Sequence, residues 1–405
     1  MSRISIISTK KFKDVVITLR FANQDQSKKT QRALLALMLS DRSAKYNSKV
    51  KMNQKLDNMF GATLTSSVHD YGQAHVLDLS LGVLNEKFVK ADLFEDQIQL
   101  LQELVYHPLL TKEVFNEAVQ VLKDMLLRES DNLSSYTSKQ ALRLAGEGFP
   151  LAYDRIGNLK ALETITLEDV QQEMKSLLKN DVLNIIVVGD VNKEKTTSLL
   201  NATFTNNNIH DSFKSSYLLT SNEVKNKVEK RETQQAYMTI VYDTNTLNYG
   251  KEYWVLQIMS MILGGLPNSF LFQEVREKRS LCYTIRASVR GYDGVMFISS
   301  GVRLDSVDQA VDLSLLQVDR IIASEFTDEL LESAKSMLVD SIYRTDDSNR
   351  RMIDSQYRKI ILDEDVDTNE IIEMVNQVSR KEVIKVAKRL KLNTIYKLVG
   401  KDLHA

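Results

Sequence analysis

The chain has 405 residues, of which 43% are hydrophobic, so it is long enough to bury two full cores. Its formal net charge of -1 and its mixed charges exclude a dedicated nucleic-acid binder, which usually carries a basic excess. A single cysteine, Cys282, excludes an intrachain disulfide framework and a cysteine-based zinc cluster. The N-terminal apolar stretch is too short for a signal peptide, and the run Leu34 to Leu39 is far too short to span a bilayer. We therefore expect a cytoplasmic protein without a membrane partner.

The first half of the chain predicts strands, helices and a hairpin in that order. Alternating and β-branched residues at Ile4 to Ser8 and Val15 to Phe21 predict two paired strands. Thr30 to Leu39 is predicted to be a buried helix, and Asn47 to Phe60 a helix that ends at Gly61. The elements that follow are a hairpin of Leu64 to His69 and His75 to Val83, helices at about Glu95 to Tyr106 and Lys112 to Glu129, and a strand at Asn184 to Gly189.

The second half predicts the same kinds of element in the same order. Its elements are a strand at Ala236 to Tyr242, helices at Tyr253 to Leu263 and Phe270 to Lys278, a hairpin within Thr284 to Val302, helices up to about Leu390, and a strand at Thr394 to Val399. Each half therefore predicts an α+β domain, a strand-rich sheet with helices packed on one face.

The order recurs because the sequence itself recurs. Gln54 to Val83 aligns without a gap on Gln273 to Val302, a shift of 219 positions, and later stretches match with shifts of 216 and 213. Offsets that shrink in small steps indicate a duplication with short deletions. We predict a first domain at 1–200, a polar linker at 201–233 and a homologous second domain at 234–405.

Several short motifs together resemble the pitrilysin-like zinc peptidases, which include mitochondrial processing peptidase and insulin-degrading enzyme. The motifs of the second half are Gly264-Gly265, Ser269 to Phe272, Val275 to Leu281, and Tyr283. Those of the first half are Gly157 to Asp169 and Val187 to Val191. The resemblance covers almost the whole chain and is strongest to Firmicute members that lack the zinc motif. It implies a LuxS/MPP-like fold, with mostly antiparallel sheets, arranged as one half of a clamshell.

In that family the first domain carries an inverted zinc motif, His-x-x-Glu-His, on a helix. The matching helix here places Ala33 and Leu37 at the two ligand positions and Ala36 at the general-base position. The third ligand position falls on Glu117. A catalytic zinc needs three protein ligands, and one carboxylate does not supply them. We therefore expect no metal or other cofactor in this chain.

The second domain keeps a pair that the family uses to handle the peptide. The resemblance implies that Arg276 orients the peptide main chain and that the Tyr283 hydroxyl holds or polarises the scissile carbonyl, chemistry that suits a guanidinium fork and a phenol. The alternative is that Arg276 is merely solvated near a helix end. Tyr283 shares strand parity with Ile285 and Ala287, which would favour burial of its ring in a core.

Two further candidates remain open. His69 and His75 flank a hairpin turn and could face each other, so a relocated zinc site built from them and Glu117 is one rival hypothesis. Structural roles are commoner for such histidines, and a buried inert role is commoner for Cys282.

The sequence thus predicts a catalytically inactive, substrate-binding subunit of a heterodimeric cytosolic zinc metallopeptidase. Alone it would have no activity, and zinc would come from a homologous zinc-bearing partner chain. Its other partner would be the peptide substrate, with no nucleic acid. The alternative is a non-enzymatic peptide-binding or scaffold protein on a peptidase fold.

Overall fold

The computed structural model describes residues 3–204, 215–221 and 223–400. Its strands are β1 (Arg3–Ser8), β2 (Asp14–Asn23), β3 (Thr63–Tyr71), β4 (Ala74–Leu84), β5 (Val182–Gly189), β6 (Lys225–Arg231), β7 (Ala236–Asp243), β8 (Cys282–Arg290), β9 (Val295–Val302) and β10 (Lys391–Gly400). Its helices are α1 (Lys29–Leu39), α2 (Lys49–Asn58), α3 (Leu93–Tyr106), α4 (Lys112–Asp131), α5 (Leu133–Ala145), α6 (Leu159–Leu162), α7 (Leu167–Asn180), α8 (Lys193–Thr203), α9 (Gly250–Gly264), α10 (Val307–Ile322), α11 (Asp328–Tyr343), α12 (Asn349–Leu362), α13 (Thr368–Asn376) and α14 (Arg380–Ala387).

The ten strands form two five-stranded sheets with the same topology. The strand orders are β1-β5-β2-β4-β3 and β6-β10-β7-β9-β8. In each sheet the first pair is parallel and the other three are antiparallel. The identical order confirms the predicted α+β class with two homologous, mostly antiparallel sheets.

Two details of the strands differ from the sequence prediction. β1 and β2 do not pair with each other, because β5 lies between them. A parallel partner from far along the chain leaves no mark in local alternation, so the pattern found the strands but not their neighbours. The predicted linker 201–233 lies partly outside the described residues, and its later part contains strand β6.

The helices and sheets form two compact units that exchange one helix each. The first unit holds β1–β5 with α1–α3, most of α4, α6–α8 and also α12 from the second half of the chain. The second unit holds β6–β10 with α9–α11, α13, α14 and also α5 from the first half. The boundaries 1–200 and 234–405 remain a prediction about the duplication.

In the first unit, the face of β2 that carries Ile17, Leu19 and Phe21 belongs to one apolar core together with α1 and α3. Alternate residues such as Thr18 and Arg20 point to the opposite face. On that face α12 contacts the sheet, where Asn349 Nδ2 donates to Asp14 Oδ2 at 3.0 Å.

In the second unit, most helices also share one core with the sheet, which contains Met238 and Ile240 of β7. α5 packs separately, placing Ala141 and Leu142 in a small cluster with Val241. Each sheet is thus covered on its second face by the exchanged helix. Among the described residues, no helix combines the length and apolar character needed to cross a membrane.

Candidate peptide site and degenerate metal site

The helix that matches the zinc motif is a core helix of the first unit. Ala33 and Ala36 are 4% and 3% exposed and lie in the main apolar core, and Leu37 packs against that core while half-buried. Methyl and isobutyl groups have no lone pair to offer a cation, so the side chains at these positions do not fit a zinc ion.

Glu117, at the remaining predicted ligand position, is held by two cations. Its Oε2 accepts from Arg42 Nη2 at 2.6 Å and from Lys49 Nζ at 2.6 Å. The bonds from Lys49 and then Arg42 hold the pKa of this carboxyl below its ordinary value. The negative charge that would help hold a metal is thus balanced by side chains. In the described part of the chain, no three His, Cys, Asp or Glu side chains form a group that could hold a metal ion.

The two histidines of the β3–β4 hairpin do not face each other. Asp70 pairs with His75 across the ladder and His69 pairs with Val76, so the imidazoles project from opposite faces. His75 is fully buried, its Nδ1 2.8 Å from Asp70 Oδ1, and that carboxylate also accepts from Lys29 Nζ at 3.1 Å. The Nε2 of His69 lies 2.9 Å from Ser67 Oγ. The hypothesis of a relocated zinc site built from facing histidines is therefore wrong, and the structural roles that are commoner for such histidines agree with these contacts.

Arg276 lies in a π-helical turn, Phe272–Glu277, in the second unit. Such turns are rare and often occur at functional sites. The guanidinium carbon lies 4.3 Å from the Phe272 ring centre and 5.4 Å from the Tyr283 ring centre, and Nε lies 3.4 Å from Glu277 Oε1. Arg276 is therefore stacked on two rings, while about a third of its side chain remains exposed.

A buried carboxylate fixes this turn. Glu274 accepts from Lys278 Nζ at 2.6 Å, from Arg279 Nη1 at 2.7 Å and from Arg320 Nη1 of α10 at 3.2 Å. The bonds from Lys278 and Arg279 lower the pKa of Glu274 to about 2. The turn that carries Arg276 is thus attached to a core helix by a residue that the sequence analysis did not single out. The available signal in the sequence was the pair of cations Lys278 and Arg279, which follow Glu274 by four and five residues.

Tyr283 is 82% exposed, because it lies at a β-bulge. The β8–β9 register shifts between Cys282 and Thr284, so Tyr283 is the extra residue and the alternation that buries Ile285 and Ala287 does not extend to it. Burial of its ring, the alternative that strand parity favoured, is wrong. An exposed phenol beside a stacked guanidinium is available to a ligand.

A cleft of about 1000 Å3 opens beside Tyr283. Its lining includes Ser280, Cys282, Gln235 and Arg303. Burial raises the pKa of the Cys282 thiol, which favours the inert reading of this cysteine. A neutral thiol and a phenol beside a polar cleft suit binding better than covalent chemistry.

Comparisons with known proteins identify relatives of this chain. Residues 164–338 match the family model of the peptidase M16 inactive domain. The chain is 24% identical over 406 residues to the probable inactive metalloprotease YmfF of Bacillus subtilis, covering 98% of this chain and 95% of that protein. It is also 24% identical to the non-peptidase homolog YmxG of Helicobacter pylori, covering 72% of this chain and 68% of the other.

A solved structure shows the same fold. The crystal structure of a conserved protein from Enterococcus faecalis V583 superposes with a TM-score of 0.93 at 24% identity, covering 98% of this chain and 96% of that one. The fold is that of these relatives, and the positions that match the zinc motif carry side chains that do not fit a zinc ion. The predicted resemblance to the pitrilysin-like peptidases is confirmed: the chain is similar to inactive M16 relatives in sequence and in fold.

Proposed function

We propose that this chain is the substrate-orienting subunit of a cytoplasmic heterodimeric zinc peptidase, in which a homologous partner supplies the zinc and the water-activating glutamate. The observation that carries the proposal is the exposed Tyr283 on its bulge beside Arg276. At 82%, Tyr283 is the most exposed large hydrophobic side chain among the described residues, so its hydroxyl is accessible to a ligand.

The chemistry of the pair suits a peptide main chain. A guanidinium offers a planar fork of donors to carbonyl or carboxylate oxygens, and a phenol offers one directed donor. Both groups are positioned before any ligand arrives, since Arg276 rests on two rings and Glu274 fixes its turn. Preorganised donors lose little conformational entropy when they bind.

A non-enzymatic peptide-binding or scaffold protein is the alternative. It would use the same exposed pair and the same cleft beside Tyr283, but would need no zinc-bearing partner. The two functions differ in whether peptide is cleaved in the presence of that partner.

A cleavage assay separates these functions. The chain would be co-expressed with a homologous chain that carries an intact His-x-x-Glu-His motif, and peptide hydrolysis would be measured for the mixture and for each chain alone. We expect cleavage only by the mixture, and a loss of at least ~10-fold in kcat with Arg276→Ala or Tyr283→Phe, as for removal of a transition-state donor.

Matched controls are available on the same chain. Arg143→Ala and Tyr343→Phe change the same residue types at exposed positions on α5 and α11 and should leave the rate unchanged. Tyr283→Phe keeps the ring stacked on Arg276 and removes only the hydroxyl. Unchanged rates in both site variants, with an active mixture, would remove the assigned role, and binding of peptide without cleavage would favour the alternative.

A further inference from the structure

A second cleft, of about 710 Å3, lies on the face of the first sheet that α12 covers. Its lining includes Asn349, Arg350 and Ile353 from α12. Six hydroxyl side chains line it as well: Thr18, Thr63, Thr65, Ser66, Ser67 and Ser80. Its volume is that of a pocket for a small ligand. Thr18 and Ser80 share a hydrogen bond, Ser66 donates to the Asp78 carbonyl, and Ser67 pairs with His69, but each hydroxyl oxygen can accept a further bond.

The interior of this cleft holds a buried ion pair with unused hydrogen-bonding atoms. Arg20 is 2% exposed; its Nη2 donates to Asp78 Oδ2 at 3.1 Å and also to Asp354 of α12. The buried Nε and Nη1 of Arg20 and Oδ1 of Asp78 have no hydrogen-bond partner among the residues that the structure describes. Arg20 and Asp78 both line the cleft, so donor and acceptor capacity remains at its wall.

The exposed rim of the cleft carries two cations that no carboxylate neutralises. Lys13 and Arg350 line it, are exposed, and form no ion pair within the described part of the chain. Of the two carboxylates of the lining, Asp78 accepts from Arg20, whereas Asp14 accepts from the neutral amide of Asn349 and keeps its charge. Lys13 and Arg350 outnumber Asp14 by one positive charge. The rim therefore favours an anionic group.

One feature marks this cleft as more than a gap in the packing: it corresponds to the cleft beside Tyr283. The 219-residue shift aligns Thr63 with Cys282 and Gly82 with Gly301, and each of these residues lines its own cleft.

We infer that this cleft binds the carboxylate end of a short peptide. Lys13 and Arg350 would hold the terminal carboxylate. The serine and threonine hydroxyls of the lining would form hydrogen bonds with the main-chain amides of the peptide, each of which presents one donor and one acceptor. The choice of a peptide over another anion rests on the proposed function and on the correspondence with the cleft beside Tyr283. The positive charge of the rim is an observation that does not depend on the proposed function.

The test uses the full chain alone. Isothermal titration would compare the acetylated tetrapeptide Gly-Ser-Ala-Ala carrying a free carboxylate with its C-terminal amide, and with inorganic phosphate. We expect the free acid to bind at least ~10-fold more tightly than the amide, and to bind more weakly as salt is raised. Equal affinity for acid and amide, stronger binding of phosphate than of the acid, or no binding of the acid would overturn the inference.

Variants locate the site. Lys13→Gln and Arg350→Gln should each weaken binding of the acid by about threefold to fivefold, as loss of an exposed charged contact does, while Lys10→Gln on the same loop should not. All three positions are exposed, so folding is not at stake. Unchanged affinity in both rim variants would overturn the placement. Because no partner chain is present, a failed cleavage assay with this binding intact would count only against the proposed function.

Discussion

The guanidinium carbon of Arg276 lies 5.4 Å from the centre of the Tyr283 ring, in a chain that carries alanine and leucine at two of its three predicted metal-ligand positions. Two departures from regular geometry, a π-helical turn and a β-bulge, hold these side chains together at the surface. Together they are the structural basis of the proposed peptide binding.

Removing the carboxylate beneath the π-turn should weaken the second unit. In Glu274→Gln, Lys278, Arg279 and Arg320 each lose a charged contact at a position 9% exposed, although Arg320 keeps Glu325. We expect a loss of about 2 kcal/mol in the free energy of unfolding at pH 7. Urea denaturation measures it, with Glu329→Gln on an exposed helix turn as the control.

The stabilisation by Glu274 should depend on pH over a defined range. The pKa of Glu274 falls from 4.5 to about 2 on folding, so its contribution is complete above pH 4.5 and is lost as the pH falls from there towards 2. The difference between wild type and Glu274→Gln should shrink over that range. A difference that persists unchanged at pH 2 would contradict the assigned ion pairs.

His75 should make the first unit sensitive to mild acid. Burial lowers its pKa below 6.5, although Asp70 opposes this shift and the nearby Arg32 and Lys29 add to it. The unfolded chain therefore takes up a proton at a higher pH than the folded chain. Stability should be complete above pH 6.5 and should decline as the pH falls below that value.

The comparison that tests this effect is His75→Gln, which has no imidazole to protonate. Its free energy of unfolding between pH 7 and 5 should vary less than that of wild type. His69, whose pKa burial also lowers, remains in both proteins and acts as an internal reference. If the free energy of unfolding changed equally with pH in wild type and in His75→Gln, protonation of His75 would not be the cause of the acid sensitivity.

Restoring the general-base glutamate should damage the fold rather than revive chemistry. In Ala36→Glu a carboxylate would replace a methyl group that is 3% exposed in an apolar core, at a cost of at least about 3 kcal/mol. Gln31→Glu, on the less buried side of the same helix, should stay within about 0.5 kcal/mol of wild type. Thermal unfolding distinguishes the two, and a stable Ala36→Glu would mean that this helix does not lie in the core.

The exchanged helices predict that the two halves of the chain do not fold well apart. A fragment of residues 1–200 would lack α12 over its polar sheet face and would expose α5, whose Ala141 and Leu142 pack in the second unit. We expect it to bind a hydrophobic dye and to exchange its amide hydrogens quickly, unlike the full chain. If the amide hydrogens of the fragment were as well protected as those of the intact protein, the first unit would not depend on helix α12.

The sequence predicted features that depend on residues close together in the chain better than features that depend on distant contacts. The apolar run of α1 predicted both its burial and the loss of metal ligands, and the 219-residue repeat predicted two like sheets. The position of β5 between β1 and β2, and the exchange of α5 and α12, depend on contacts between residues far apart in the chain.

The surroundings of the site were harder to predict than its residues. One extra residue at Tyr283 reverses the side that its ring faces, and strand parity gives no warning of it. The Arg20, Asp78 and Asp354 cluster joins a strand, its neighbour and a distant helix. No single stretch of sequence contains that pattern.

The most direct test of the account is the metal content of the purified chain, measured together with its turnover of peptide. We predict that the purified chain contains far less than one zinc ion per molecule and hydrolyses no peptide until the homologous partner is added. One tightly held zinc ion per chain, with peptide cleavage that a chelator abolishes and zinc restores, would contradict it.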